Sequence, residues 1–328
     1  MQCSRKPTIT SFFSGMGGLD LGFKELFNIQ WANEFNPHAA HCYEINIGRH
    51  IRVEDITKVP LSSIPKSNGF IGGPSCIDFS SAGVNRGIEG DHGKLAIVYQ
   101  EIIRRMMPDF FLFENVEGLL TRHSQSFYHL IDNYKGMGFN VTWALLNAAH
   151  FGVAQERNRV FIAGIRRDLG FHFSFPTPSY VKRTVRQAIG DLPTAETIAA
   201  RERVLGITPN HTATWESPTP ERLFDVIQHP RNQHRGMRRL EWDKPSPTIT
   251  AHIAKDGREF LHPSENRRIT VREALRLSGF PDSFTLPADV PLSAQYRCVG
   301  NCVAFPVASA LAKAMYQQIQ FGNIQETG

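Results

Sequence analysis

A cysteine at position 76, a glutamate at 114 and arginines at 157 and 159 are the residues of this 328-residue chain whose types and settings could do chemistry together. Cys76 stands in "GGPSCIDFSSAG", just after a Gly-Gly-Pro turn that follows the apolar stretch "NGFI". Taken alone, a cysteine is more often a buried small hydrophobe than a catalyst. After an apolar strand and a tight turn, however, it should emerge at the carboxyl edge of a sheet, where open α/β folds bind ligands. A free thiol titrates at about 8.5 and needs assistance to act as a thiolate near neutrality. Glu114, in "ENV", ends the apolar run "DFFLF" and should reach the same edge, where a partly desolvated carboxyl group can hold a proton and act as a general acid. Arg157 and Arg159, in "QERNRVF", precede another apolar run. Alternation along a strand would put both guanidinium groups on one side, suited to an anion or an electron-rich carbonyl.

A second constellation lies at the N-terminal end. In "FFSGMGGLDLGF" glycines follow a candidate strand and precede a helical pattern, so the backbone can take positive φ and bring its N–H groups close to a ligand. The dinucleotide fingerprint G-x-G-x-x-G, counted from Gly15, needs a third glycine where Asp20 stands, which counts against a nicotinamide oxidoreductase. Glu34 follows at the end of the next strand, about 20 residues on, where an acidic side chain accepts hydrogen bonds from a ribose. Asp55, in "VEDIT", is a further carboxylate of this kind.

The elements that must position these groups alternate between short apolar runs and helical patterns, the signature of βαβ units and a mostly parallel sheet. Strands are expected at 8–13, 29–35, 69–73, 109–116, 140–148 and 159–166, and a helix at 94–107, where Leu95, Val98, Ile102 and Met106 recur at helical spacing before Pro108. From 170 to 262 the chain is rich in Pro, Thr, His and Arg and reads as a separate, loop-rich insertion. Regular patterning returns in "RRITVREALRLSGFPDSF", and "CVAFPVASALAKAMYQQI" reads as a closing helix.

Composition narrows the class. With 41% hydrophobic and 20% charged residues the chain is ordinary for a water-soluble protein, and no apolar run approaches the roughly 20 residues of a membrane span. The start, "MQCSRKPTITSFF", lacks the apolar core of a secretory signal, so the expected location is the cytoplasm, with no membrane partner. Five cysteines without a C-x-x-C pair suit a reducing compartment and argue against a zinc site. A formal charge of +5 and a pI of about 9.0 favour an anionic partner such as nucleic acid.

The motifs, taken in order, resemble those of the cytosine-C5 DNA methyltransferases of bacterial restriction-modification systems over nearly the full length: "FFSGMGG", "GGPSC", "ENV", "QERNR", "RRITVREALRLSGFPDSF" and "GNCV". The resemblance implies a Rossmann-like, S-adenosylmethionine-dependent methyltransferase fold, with residues 1–170 and 263–328 forming the catalytic domain and 171–262 an inserted target-recognition domain. It implies Cys76 as nucleophile, Glu114 as acid, Arg159 on the cytosine O2 and Arg157 supporting the loop. Phe13, Ser14, Gly15, Gly17, Gly18, Leu19, Glu34, Phe35, Asp55, Ile56, Pro74, Leu95, Asn301 and Val303 match positions around S-adenosyl-L-methionine. Double-stranded DNA is the implied substrate, its target base flipped out of the stack under a mobile loop at 80–95. Arg231, Arg235, Arg238 and Arg239, in the basic segment "QHPRNQHRGMRRL", are candidates for reading guanine or neutralising phosphate. A monomer, nucleoid-associated and accompanied by a separately acting restriction endonuclease, completes the expectation. The pattern departs from the family at Ser75 and Ile77, where proline and glutamine flank the cysteine, and at Ser11, His150 and Ala304, where Asp, Asp and Pro are common. Two alternatives stay open at this level: methylation of tRNA cytosine, and a DNA-binding relative with impaired catalysis.

Overall fold

The computed structural model describes residues 6–74, 93–197, 208–213, 221, 238–255 and 260–325. A seven-stranded sheet is built from β1 (Thr8–Phe12), β2 (Asn28–Glu34), β3 (Ile51–Val53), β4 (Gly69–Gly72), β5 (Phe110–Val116), β6 (Phe139–Asn147) and β7 (Asn158–Arg166), in the order β3-β2-β1-β4-β5-β7-β6. The first five strands run parallel, and β7 is antiparallel to both its neighbours. The expected strands are present, and β3 is an addition whose three residues are too few to leave a period. Phe110, Phe111, Leu112 and Phe113 of β5 are all fully buried, as a central parallel strand covered on both faces requires. Two of those rings have room because glycines face them: Gly69 lies opposite Phe110 and Gly164 opposite Phe111, where a Cβ would come within 2.0 Å of each ring.

The helices among the described residues are α1 (Gly18–Phe23), α2 (Pro37–Asn46), α3 (Gly93–Met106), α4 (Glu117–Thr121), α5 (Ser124–Gly136), α6 (Val185–Ile189), α7 (Val271–Leu277), α8 (Leu292–Asn301) and α9 (Phe305–Gln325). α2 starts where Asn36 caps the His38 and Ala39 amides and Pro37 presets the first helical φ. α7 opens on a capping box in which Thr270 Oγ1 accepts from the Glu273 amide and Glu273 accepts from the Thr270 amide. No single helix among the described residues is long and apolar enough to cross a membrane.

The chain divides into two compact units. The first comprises Met1–Asn147, Asn158–Pro178 and Val307–Gly328 and holds the sheet; the second comprises Ala148–Arg157 and Ser179–Pro306. The core of the first is aromatic, with Phe12, Phe70, Tyr99, Phe111, Tyr134 and Phe139 buried among aliphatic side chains from α3 and α5. In the second, α7 is fixed by a buried bidentate pair, Arg267 Nη1 and Nη2 to the Glu273 carboxylate at 2.9 and 2.8 Å. Burial pushes the Glu273 carboxyl up, but Arg267, with His262 and the Thr270 amide, more than reverses it and holds the group below the ordinary glutamate range.

Candidate active site

Because β1 to β5 run parallel, their carboxyl ends share one edge, and that edge collects the glycine-rich turn after β1, Glu34 and Phe35 at β2, Asp55 after β3, Pro74 after β4 and Glu114 at β5. β7 runs the other way, so its first residues arrive at the same edge: Val116 is opposite Arg159 and Glu114 opposite Phe161. Arg159 therefore sits diagonally from Glu114 on one face of the sheet, and its Nε meets Glu114 Oε1 at 3.0 Å, with the two side chains only 15% and 12% exposed. Arg159 Nη1 donates to the Asn158 carbonyl at 2.8 Å, which fixes the guanidinium plane.

Gly73 makes the carboxylate's place. A Cβ there would stand 2.7 Å from Glu114 Oε2, so any other residue would make the carboxylate end shift. The neighbouring Asn115, itself buried, donates from Nδ2 to the Pro74 carbonyl at 3.2 Å and ties the turn after β4 to β5. Neither residue's part follows from residue type alone, although both lie inside motifs, as the second glycine of "GGP" and the amide of "ENV". Cys76 lies outside the described residues, as does the expected loop up to residue 92. Leu95, in α3, is described and half-buried.

The two arginines do not act as a pair on one side. β7 begins at Asn158, so Arg157 falls outside the strand and the period of two does not reach it. Its guanidinium, 3% exposed, instead donates to three main-chain carbonyls of the second unit: Nη1 to Ile249 at 2.7 Å, Nη2 to Gly300 at 2.9 Å and to Cys302 at 2.8 Å. Those last two carbonyls bracket Asn301, with Val303 next in the chain. Gln155 works the same way, accepting from the Ile249 amide and donating to Ser278 Oγ. Replacing Arg157 by alanine leaves those buried carbonyls without donors, and a loss of about 3–5 kcal/mol in unfolding free energy is expected in urea titrations. A loss below about 1 kcal/mol would mean that the carbonyls find other donors.

The glycine-rich turn is built for proximity. Phe13 and Gly15 take positive φ values of 53° and 56°, and Gly17 takes 91° where a Cβ would collide with Ile47. A non-glycine residue in this region costs of order 1–3 kcal/mol and occurs where surrounding structure enforces it, frequently at ligand sites. A Cβ at Gly15 would meet nothing within 4 Å, which leaves space above the turn. Gly15 donates its amide to Glu34 Oε2 at 2.9 Å and Asn36 donates to Oε1 at 2.8 Å, so Glu34 is oriented by two backbone groups. Burial pushes its carboxyl above the ordinary glutamate range despite those bonds. Phe35 is 73% exposed beside it, an aromatic face open to a flat partner. Asp55 caps a turn of 3-10 helix through Thr57, whose amide and hydroxyl hold its carboxyl below the ordinary aspartate range. Gly18, Leu19, Ile56 and Pro74 are buried, while Asn301 and Val303 belong to the second unit.

Of the basic segment, Arg231 and Arg235 lie outside the described residues, and Arg238 is exposed. Arg239 donates to the carbonyls of His262 and Glu265 and to Asn266 Oδ1, so three of its contacts serve the protein's own main chain and side chains.

Residues 8–317 match the family model described as C-5 cytosine-specific DNA methylase. The chain belongs to that family. Two curated relatives are similar over nearly the whole length: the Type II methyltransferase M.MthTI of Methanothermobacter thermautotrophicus, 37% identical with 95% of this chain and 98% of the relative covered, and M.FnuDI of Fusobacterium nucleatum, 34% identical with 95% and 94% covered. Among solved structures, a DNA modification methyltransferase from an E. coli prophage superposes with a TM-score of 0.77 at 24% identity, covering 96% of this chain and all of that one. C-5 cytosine methylases of this Rossmann-like fold use S-adenosylmethionine. The open Gly15 cradle, the oriented Glu34 and the exposed Phe35 suit its amino-acid moiety, ribose and adenine respectively.

Proposed function

We propose that this methylase transfers a methyl group to C5 of a cytosine flipped out of a specific double-stranded DNA sequence, with Cys76 as the covalent nucleophile. The observation that carries the reading is the Glu114–Arg159 pair at the sheet edge, held beside Pro74, two residues before Cys76. Cytosine C5 is a poor nucleophile. A thiolate adding to C6 turns the ring into an enamine while Glu114, having taken up a proton from solvent, donates it toward N3 and meets the charge developing there, leaving the carboxylate that Arg159 holds. S-adenosylmethionine would supply an electrophilic methyl on its sulfonium: as C5 bonds to that carbon the S–CH3 bond breaks and the sulfur leaves as the neutral thioether S-adenosylhomocysteine. Loss of the C5 proton to a base then expels the thiolate and restores aromaticity, so the cysteine returns unchanged. Arg159 holds Glu114 in register and reaches the cytosine O2. The turn from Phe13 to Leu19, with Glu34, Phe35, Asp55, Ile56, Leu95, Asn301 and Val303, surrounds the methyl donor.

Target reading falls to residues 171–262, with Arg231, Arg235 and Arg238 as the side chains toward DNA and Arg239 supporting the segment from within. The relatives' designation as Type II methyltransferases supports a restriction-modification setting and a separate endonuclease partner. Bisulfite sequencing of DNA from cells expressing the chain should show one short methylated sequence. Parallel incubation of labelled methyl donor with duplex DNA and with tRNA should put label in the DNA; label entering tRNA alone would overturn the assignment.

A further inference from the structure

Asp20 stands out in the sequence only as the residue that spoils a dinucleotide fingerprint, yet it is the most completely buried carboxyl group beside the glycine-rich turn, with 0% exposure. It lies at the third position of α1, and its two oxygens are claimed from different elements. Ser11 Oγ, on β1, donates to Oδ2 at 3.0 Å, and Tyr43 Oη, on α2, donates to Oδ1 at 2.9 Å. Each donor is itself an acceptor: Ser14 Oγ donates to Ser11 Oγ at 2.9 Å, and His50 Nε2 meets Tyr43 Oη at 2.9 Å. The result is one hydrogen-bonded row, His50–Tyr43–Asp20–Ser11–Ser14, that ends on the first residue of the turn Ser14-Gly15-Met16-Gly17.

An ionised carboxylate only accepts, so it gives the whole row one direction. With Asp20 as sink, the Ser11 hydroxyl must point toward it, and the Ser14 hydroxyl must point inward toward Ser11. The Ser14 side chain is thereby held under the turn while its main chain donates to the Asn33 carbonyl and accepts from the Gly17 amide, each at 2.9 Å. A group that both donates and accepts at position 20 would let the Ser11–Ser14 half reverse and release the Ser14 hydroxyl.

We propose that Asp20 is a positioning residue for methyl-donor binding: its carboxylate orients the Ser11–Ser14 relay and so fixes the conformation of the glycine-rich turn. The proposal rests on the reading of that turn as the S-adenosylmethionine site. Holding a carboxylate there works against the fold. Burial pushes the Asp20 carboxyl up to about 6 in spite of its hydrogen bonds, and the titratable groups facing it are Tyr43, whose hydroxyl burial pushes further up, and His50, whose imidazole burial pushes down. A folded-state value above the ordinary aspartate value of 3.8 means that this group's contribution to stability is present below 3.8 and is lost as the pH rises through about 6.

Three variants test this by equilibrium dialysis with labelled S-adenosylmethionine in the absence of DNA, alongside thermal unfolding. Asp20→Asn should bind the donor about tenfold more weakly, equivalent to about 1.4 kcal/mol, while its stability at pH 7.5 equals or exceeds that of the wild type. In steady-state methylation the same variant should raise KM for the donor with kcat changed less than about threefold. The exchange Ser11→Asp with Asp20→Ser keeps a carboxylate and a hydroxyl at the same junction and should recover affinity to within about threefold of the wild type. Donor affinity unchanged in Asp20→Asn, or weakened only in proportion to lost stability with no recovery in the exchange, would overturn the proposal. Glu34→Ala separates the two levels of inference: if it too leaves the affinity unchanged, the turn is not the donor site and the underlying reading fails with the proposal.

Discussion

A chain carrying Cys76→Ser is expected to methylate DNA at no measurable rate, a loss of at least about 10⁴-fold in kcat, while binding S-adenosylmethionine and duplex DNA as the wild type does. The argument is one of nucleophile strength. A thiol with an ordinary value of about 8.5 is partly ionised near neutrality and more so beside a cation, whereas a serine hydroxyl is not ionised there at all. The attack on C6 cannot be bypassed, because without it C5 has no electron density to give. DNA containing 5-fluorocytosine makes the point directly: the fluorine at C5 cannot depart as a proton does, so elimination stops and the enzyme stays bonded to the ring. The wild type should give a protein–DNA band that survives denaturing electrophoresis, and Cys76→Ser should give none. Serine and isoleucine flank this cysteine where the resembled pattern has proline and glutamine. If the wild type binds donor and DNA tightly yet forms no adduct, the altered loop has lost the attack and the chain is a binding protein.

The sequence made the sheet and its loaded edge legible because both rest on local signals. Apolar runs of strand length bounded by glycine and proline placed six of the seven strands of the large sheet, and the parallel order then sent every strand-end polar residue to one side. What it could not carry was anything fixed by partners distant in the chain. Arg157 and Arg159 look equivalent by spacing, but the strand begins between them, and one guanidinium serves the carbonyls of residues 249, 300 and 302 while the other pairs with Glu114. Arg239 looks like a free cation in a basic run and is folded onto the loop at 262–266. Asp20 looks like a failed glycine, and only Tyr43, 23 positions away, and Ser11 give it a purpose. In each case residue type was a sound guide to chemistry and a poor guide to which neighbour would use it.

These placements also divide labour around the edge. Within each unit polar groups are spent on holding main chain: in the first, Asn115 on Pro74 and Glu34 on Gly15 and Asn36; in the second, Arg157 and Gln155 on the segments at 249 and 300–302. Preorganisation of this kind places donors before charge develops and avoids reorganising them during the reaction. The buried Asp20 row is the same kind of arrangement, a set of hydrogen bonds that ends on the main chain of the glycine-rich turn.

Glu114 is where such order has its second largest expected consequence. Glu114→Gln should lower kcat by about 10²–10³-fold, equivalent to about 2.7–4 kcal/mol, because the amide keeps the shape but cannot deliver a proton to N3. Arg159→Ala should lose almost as much, since it removes both the contact at 3.0 Å that holds the carboxylate and the donor proposed for O2. The double variant should then lose less than the two single losses combined, with an interaction energy of about 1–3 kcal/mol, as expected for groups acting through one contact. Gly73→Ala separates position from charge: both ionic partners remain, but the new Cβ stands 2.7 Å from Glu114 Oε2 and must displace it. A fall of about tenfold or more in kcat with donor affinity unchanged is expected from that variant. Strict additivity of the Glu114 and Arg159 losses, together with full activity in Gly73→Ala, would show that the carboxylate acts without being held, and the proposed geometry of proton delivery would fall.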